Sequence, residues 1–152
     1  MKISIGSDHA GYDYKSRLIP ILREAGHEVL DCGTHSPDST DYPLFIIPAA
    51  EAVARGDADF GIVIGGSGNG EAIAANKVKG IRCALAWSAE TAELGRRHNN
   101  ANVISIGERT IPFDLARQLV EIFLSTPFDG GRHARRVGEL DRYEAGQPMD
   151  VG

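Results

Sequence analysis

Two apolar rhythms alternate along this chain. Short runs rich in Ile and Val, at residues 2–6, 28–32, 60–64, 81–86 and 103–107, have the character of buried strands. Between them the apolar residues recur at helical spacing. Leu18, Ile21, Leu22 and Ala25 mark one face of a helix that Gly26 stops. A second helix is predicted from near Pro43 to Gly56, others at about 71–78 and 88–98, and a further one opened by Pro112. Pro20 falls inside the first helix, which predicts a kink or two joined pieces there. Residues 33–41 are the longest polar loop. Five strands alternating with helices predict an α/β fold with a five-stranded parallel sheet and helices on both faces.

Composition narrows the partners more than the fold. The 152 residues predict one domain over 1–145 and a frayed tail over 146–152. Acidic residues outnumber basic ones 21 to 16, a net charge of −5, which argues against a nucleic-acid or membrane-surface role. A strand begins at once after Met1 and no apolar run nears spanning length, so neither a leader nor a membrane segment is expected. Cys32 and Cys83 lie in strand contexts without metal-ligand spacing and read as reduced, buried and structural, in keeping with a cytoplasmic protein.

The chemistry concentrates where predicted strands end. After the third strand the chain reads Gly65-Gly66-Ser67-Gly68-Asn69-Gly70-Glu71 and runs into a helix-forming segment. On such a strand-to-helix turn, backbone N–H groups and the helix N-terminus favour an anion. Neither a dinucleotide fingerprint nor a Walker loop fits the spacing. Glu71 would repel a bound phosphate, yet beside a carbon acid whose anion the turn stabilises it is a sensible general base. The combination points to proton abstraction next to a carbonyl, although a tight loop with favourable dipole chemistry would look the same. Asp8 and His9 follow the first strand, where Asp8 reads either as a helix cap or as an acid facing the same crevice as Glu71. His98 and Asn99 close a helix, a position that also suits a cation on the C-terminal dipole. Arg132 and Arg136 are four apart at the start of a late helix, against its dipole, as a phosphate clamp or a solvated basic face; Arg109 follows the fifth strand.

Taken together, Gly6-Ser7-Asp8-His9-Ala10-Gly11, Asp41-Tyr42-Pro43, the 65–77 segment, His98-Asn99-Asn100-Ala101-Asn102 and Gly131-Arg132-His133 resemble the type B ribose-5-phosphate isomerase family. That family also holds galactose-6-phosphate isomerase subunits and other sugar-phosphate isomerases, and the resemblance covers residues 2–143. It implies a three-layer Rossmann-like fold and a cofactor-free and metal-free aldose–ketose isomerisation of ribose 5-phosphate. One branch of the family carries a catalytic cysteine where this chain has Gly65; the other uses the glutamate that is Glu71 here. By position, the resemblance gives ring opening to His98 with Asp8 near the ring oxygen, and the C1–C2 proton transfer to Glu71. Ser67 and the amides of Gly66, Gly68, Asn69 and Gly70 would hold the enediolate. His9, Arg109, Arg132 and Arg136 would hold the phosphate, and Asn99 the hydroxyls. It further implies a homodimer, or a tetramer, with sites shared between subunits. An isomerase of a four- or six-carbon sugar phosphate is the alternative within this class. A nucleotide-binding module of the universal-stress type is the rival outside it, and leaves Glu71 an unexplained repulsive charge.

Overall fold

The computed structural model describes residues 1–149. Strands β1 (Lys2–Ser7), β2 (Glu28–Asp31), β3 (Phe60–Gly65), β4 (Cys83–Leu85) and β5 (Val103–Gly107) form one parallel sheet in the order β2-β1-β3-β5-β4. Six helices accompany them: α1 (Tyr12–Glu24), α2 (Pro43–Ala54), α3 (Asn69–Asn76), α4 (Ala89–Asn99), α5 (Phe113–Ser125) and α6 (Arg132–Glu144). The central strands are buried on both faces, which is why they read as unbroken apolar runs. Ile3, Ile5, Ile62, Ile64, Ile104 and Ile106 face a core shared with α1, α4 and α5. Val63 and Val103 face a second core under α2 and α3. Two serines that point into the layers are satisfied by helix and loop carbonyls: Ser4 Oγ donates to Ala49 O and Ser105 Oγ to Gly68 O, at 2.8 and 2.7 Å.

The face of each helix follows from the hand of its crossover. The links β1→β2 and β4→β5 run toward one sheet edge, and β2→β3 and β3→β4 toward the other. Right-handed connections then put α1 and α4 on one face and α2 and α3 on the opposite one, as the two cores record. The expected α/β architecture is the observed one. Several boundaries differ. α1 runs unbroken through Pro20, which sits on its exposed side. Ile19 joins the core, whereas Ala25 lies outside it. β4 keeps only three of the six residues expected; at its start the Asn102 side chain takes the Arg82 N–H at 2.8 Å before the ladder begins. Cys32 and Cys83 are free thiols but half-buried, not buried. Part of the expected tail doubles back: Arg142 donates to Pro148 O at 2.8 Å and Gln147 N–H to Arg142 O at 2.9 Å. Residues 150–152 of that tail lie outside the described residues.

One buried charge ties α1 to the sheet edge. Lys15 is 2% exposed and its Nζ lies 2.7 Å from Asp31 Oδ1 at the end of β2, while Asp31 keeps 27% of its surface in water. Asp31 also accepts the Gly33 N–H at 3.0 Å, fixing the start of the 33–42 loop. Removing Asp31 strands a buried cation; removing Lys15 leaves a carboxylate that water still reaches. Asp31→Ala should therefore cost about 3 kcal/mol in urea unfolding and Lys15→Met less than half of that. Equal losses would contradict the asymmetry.

Candidate active site

The first connection leaves β1 toward one edge of the sheet and the connection after β3 leaves toward the other. Their carboxyl ends therefore open a crevice at the switch point, where open α/β sheets take their ligands. A cavity of about 400 Å³ occupies it, lined by Asp8, His9, Ala10, Tyr42, Gly66, Ser67, Gly70, Glu71, Arg109 and Thr110.

Glu71 is the pivot of this cavity. It belongs to the first turn of α3 and is only 4% exposed. Its carboxylate turns back beneath the end of β3, into the space a side chain at position 65 would occupy: a Cβ built on Gly65 collides with the carboxylate carbon and both oxygens. Burial pushes its pKa above the ordinary 4.5; the backbone N–H groups of Glu71 itself and Gly68 oppose the rise, and the Asp8 carboxylate adds to it. The turn reaches this shape through Gly68, which caps α3 at φ +83°, a left-handed conformation that costs glycine little.

Neighbouring elements fix the rest of the wall. Asp8 Oδ1 accepts the N–H groups of Ala10 and Gly11 at 2.9 and 3.1 Å, so it does cap a short 3₁₀ turn. It lines the crevice as well. His9 Nδ1 is held by the main chain of Thr40, 3.1 Å from its N–H and 3.2 Å from its carbonyl, and Nε2 is left for a ligand. The Arg109 main-chain N–H donates to Gly66 O at 3.0 Å, fixing that backbone against the glycine turn, and the guanidinium lies over Gly66. Glu108, beside it, accepts the Tyr14 N–H at 2.7 Å at the start of α1.

Of the residues predicted for the site, Asp8, His9, Gly66, Ser67, Gly70, Glu71 and Arg109 meet here. Gly68 and Asn69 do not line the cavity: Gly68 is buried behind the turn, and Asn69 is on its exposed side with its N–H on Ser67 Oγ at 3.2 Å. Tyr42 and Thr110 line it without having been assigned a role. The Asp41-Tyr42-Pro43 motif was the signal for Tyr42, whose ring lies over Gly70. His98, Asn99 and Arg136 line a different cavity of about 490 Å³ between the end of α4 and α6, with His133, Glu139 and Met149 among its walls. The two cavities share no lining residue. Arg132 is exposed one turn before Arg136 and lies outside that lining.

Cys83 lies near Glu71, whose charge, after burial, helps push the thiol up to about 12. That keeps it protonated and a poor nucleophile. The fold also assembles a grouping invisible in the spacing, His98, Asp129 and His133, with donor atoms within 4.8 Å of one another. The two imidazoles are parallel within 9°, so their in-plane lone pairs run side by side instead of converging. Arg97 Nε lies 3.2 Å from both Asp129 oxygens, and the charges of Arg132 and Arg136 reach His133. A divalent cation fits this arrangement poorly.

Residues 3–140 match the family model described as ribose/galactose isomerase. Ribose-5-phosphate isomerase B of Mycobacterium tuberculosis is 50% identical over 146 residues, covering 95% of this chain and 90% of that protein. The Escherichia coli protein of that name is 42% identical, covering 94% of this chain and 96% of its own. The solved structure of Clostridium thermocellum ribose-5-phosphate isomerase B superposes with a TM-score of 0.94 at 49% identity, over 96% of this chain and 99% of that one. A structure of the Mycoplasma genitalium ribose-5-phosphate isomerase B with bound ribulose-5-phosphate gives 0.91 at 40% identity, over 95% and 96%.

The placement of Glu71 has a direct spectroscopic consequence. A carboxyl-carbon NMR titration should find it titrating above 4.5, and Gly65→Ala, by expelling the carboxylate toward water, should bring it back toward that value. An unshifted Glu71 in the parent protein would overturn this description of the crevice.

Proposed function

The chain belongs to the ribose/galactose isomerase family and is an isomerase; from that premise we propose that the crevice interconverts ribose 5-phosphate and ribulose 5-phosphate through a cis-enediolate, with Glu71 as general base. The observation that carries this reading is the buried carboxylate of Glu71, seated on the glycine turn in the place of a residue-65 side chain. C1 and C2 of the sugar are adjacent, so one carboxylate takes the C2 proton and returns it to C1 on the same face. A carbon acid is weak, and a base raised above its ordinary pKa matches it better. Charge developing on the two sugar oxygens meets Ser67 and the amides of the turn. His9 Nε2 and Arg109 suit the phosphate end, and Asp8 stands within the same cavity.

Isomerisation also needs the furanose opened, a task we assign to His98, with Asn99 on the hydroxyls and Arg132 and Arg136 on the phosphate. These side chains lie outside the Glu71 cavity of their own protomer. That separation supports a homodimer in which α4 and α6 of one subunit complete the crevice of the other.

Two outcomes test the assignment. Glu71→Gln should lower kcat by ~10²–10⁴, the usual cost of losing a general base, while substrate still binds. Ribulose 5-phosphate is always open-chain, because its phosphorylated C5 oxygen cannot close a ring onto the C2 ketone. Deuterium uptake from D₂O into its C1 should therefore vanish in Glu71→Gln and survive in His98→Asn. Uptake in a folded Glu71→Gln protein at more than about a tenth of the parent rate would remove Glu71 from the role of base.

Subunit sharing is tested by co-refolding two inactive variants, Glu71→Gln and His98→Asn. In a mixed dimer both lesions fall in one site and the other is intact. Random reassembly makes about half the dimers mixed, so roughly a quarter of parent activity should return. No recovery despite exchange verified by mass spectrometry would refute the shared site.

A further inference from the structure

The contact that orients His98 comes from outside the set of residues assigned above. α4 and the segment leading into α6 are fastened together at Arg97: Asp129 N–H donates to Arg97 O at 3.0 Å, and Arg97 Nε and Nη2 reach the Asp129 carboxylate at 3.2 Å. This clasp sets His133, in the first turn of α6, face to face with His98. Their ring centroids are 4.1 Å apart and their planes 9° from parallel. Both rings are half-buried. Among the described residues no hydrogen bond holds the His98 ring, so the stack is what limits its rotation. A side chain that moves a proton must keep its nitrogen aimed at the reacting atom, and an imidazole turning freely at a helix end would not.

We infer that His133 is a positioning residue for His98, its ring face holding the His98 imidazole in the plane from which it exchanges a proton with the sugar ring. This rests on the ring-opening role proposed for His98. The surroundings suit the task. Burial pushes the His133 pKa down, reinforced by His98, Arg132 and Arg136 and opposed by Asp129, so His133 offers a neutral π face to its neighbour. Asp129, clamped by Arg97, places the stack and takes no part in the proton transfer.

The test compares His133→Ala, His133→Phe and His98→Asn, each checked for folding by circular dichroism. Phenylalanine keeps the ring face and loses both nitrogens. With ribose 5-phosphate as substrate, His133→Ala should lower kcat about tenfold or more with KM within about threefold, and His133→Phe should restore kcat to within about threefold of the parent. C1 deuterium uptake by open-chain ribulose 5-phosphate should match the parent in both His133 variants. Equal impairment of the Ala and Phe variants, or a rise in KM alone, would overturn the inference in favour of a ring nitrogen contacting substrate. Full activity in His133→Ala together with an inactive His98→Asn would overturn it while leaving His98 its role. Full activity in His98→Asn would remove the ring-opening role, and this inference with it.

Discussion

Glu71 and position 65 claim the same space, and the catalytic reading of this protein depends on which of them fills it. The carboxylate lies under the end of β3 only because Gly65 has no side chain there. Buried in that place, it is more basic than an ordinary glutamate and sits against the N–H groups of the turn that would receive the developing anion. A cysteine at position 65 would set its thiol where the carboxylate now lies. The two branches of the family thus read as two ways of putting one proton acceptor at one point in the crevice.

That point is set by topology more than by local sequence. Pairing of β1 with β3 brings Asp8 beside Glu71, and pairing of β3 with β5 brings Arg109 beside Gly66. Each wall of the cavity is a different strand end, located by a ladder that is buried on both faces and therefore rigid. The loops inherit that rigidity through side chains that do structural and chemical duty together. Asp8 caps a turn with one oxygen, and His9 holds the 34–42 loop with one nitrogen, each leaving its other polar atom to the crevice.

The side chains proposed to open the ring and hold the phosphate stand on α4 and α6 instead of at strand ends. α6 meets α4 at the Arg97–Asp129 clasp and the His98–His133 stack, and its far end holds the segment before β4 through Arg82–Asp141 and through Glu144, which accepts the Gly80 N–H. Val137 is its one buried side chain among the described residues. A helix that buries so little of itself, carrying Arg132 and Arg136 into solvent, suits a surface completed by another copy of the chain.

Much of this was legible in the chain itself. Strand and helix alternation followed from apolar periodicity, because a two-sided parallel sheet leaves unbroken Ile/Val runs and its covering helices leave 3.6-residue stripes. The misplacement of Glu71 on an anion-binding turn singled it out by charge alone as the candidate base, and the five ordered motifs carried the family. What the sequence lacked was distance. Nothing in the spacing separates the Glu71 cavity from the His98 cavity, since residues in both lie at strand or helix ends of similar polarity. Nor does it bring His133 onto His98, 35 residues away, or Asp129 beside them. Pro20 and β4 departed from expectation for the same reason. A solvent-facing proline is tolerated by a helix packed along its other side, and one Asn102 side chain takes the N–H just before a strand that propensity alone would extend. Local chemistry is written in residue types; which groups share a cavity is decided by strand order and helix packing, which couple residues far apart in the chain.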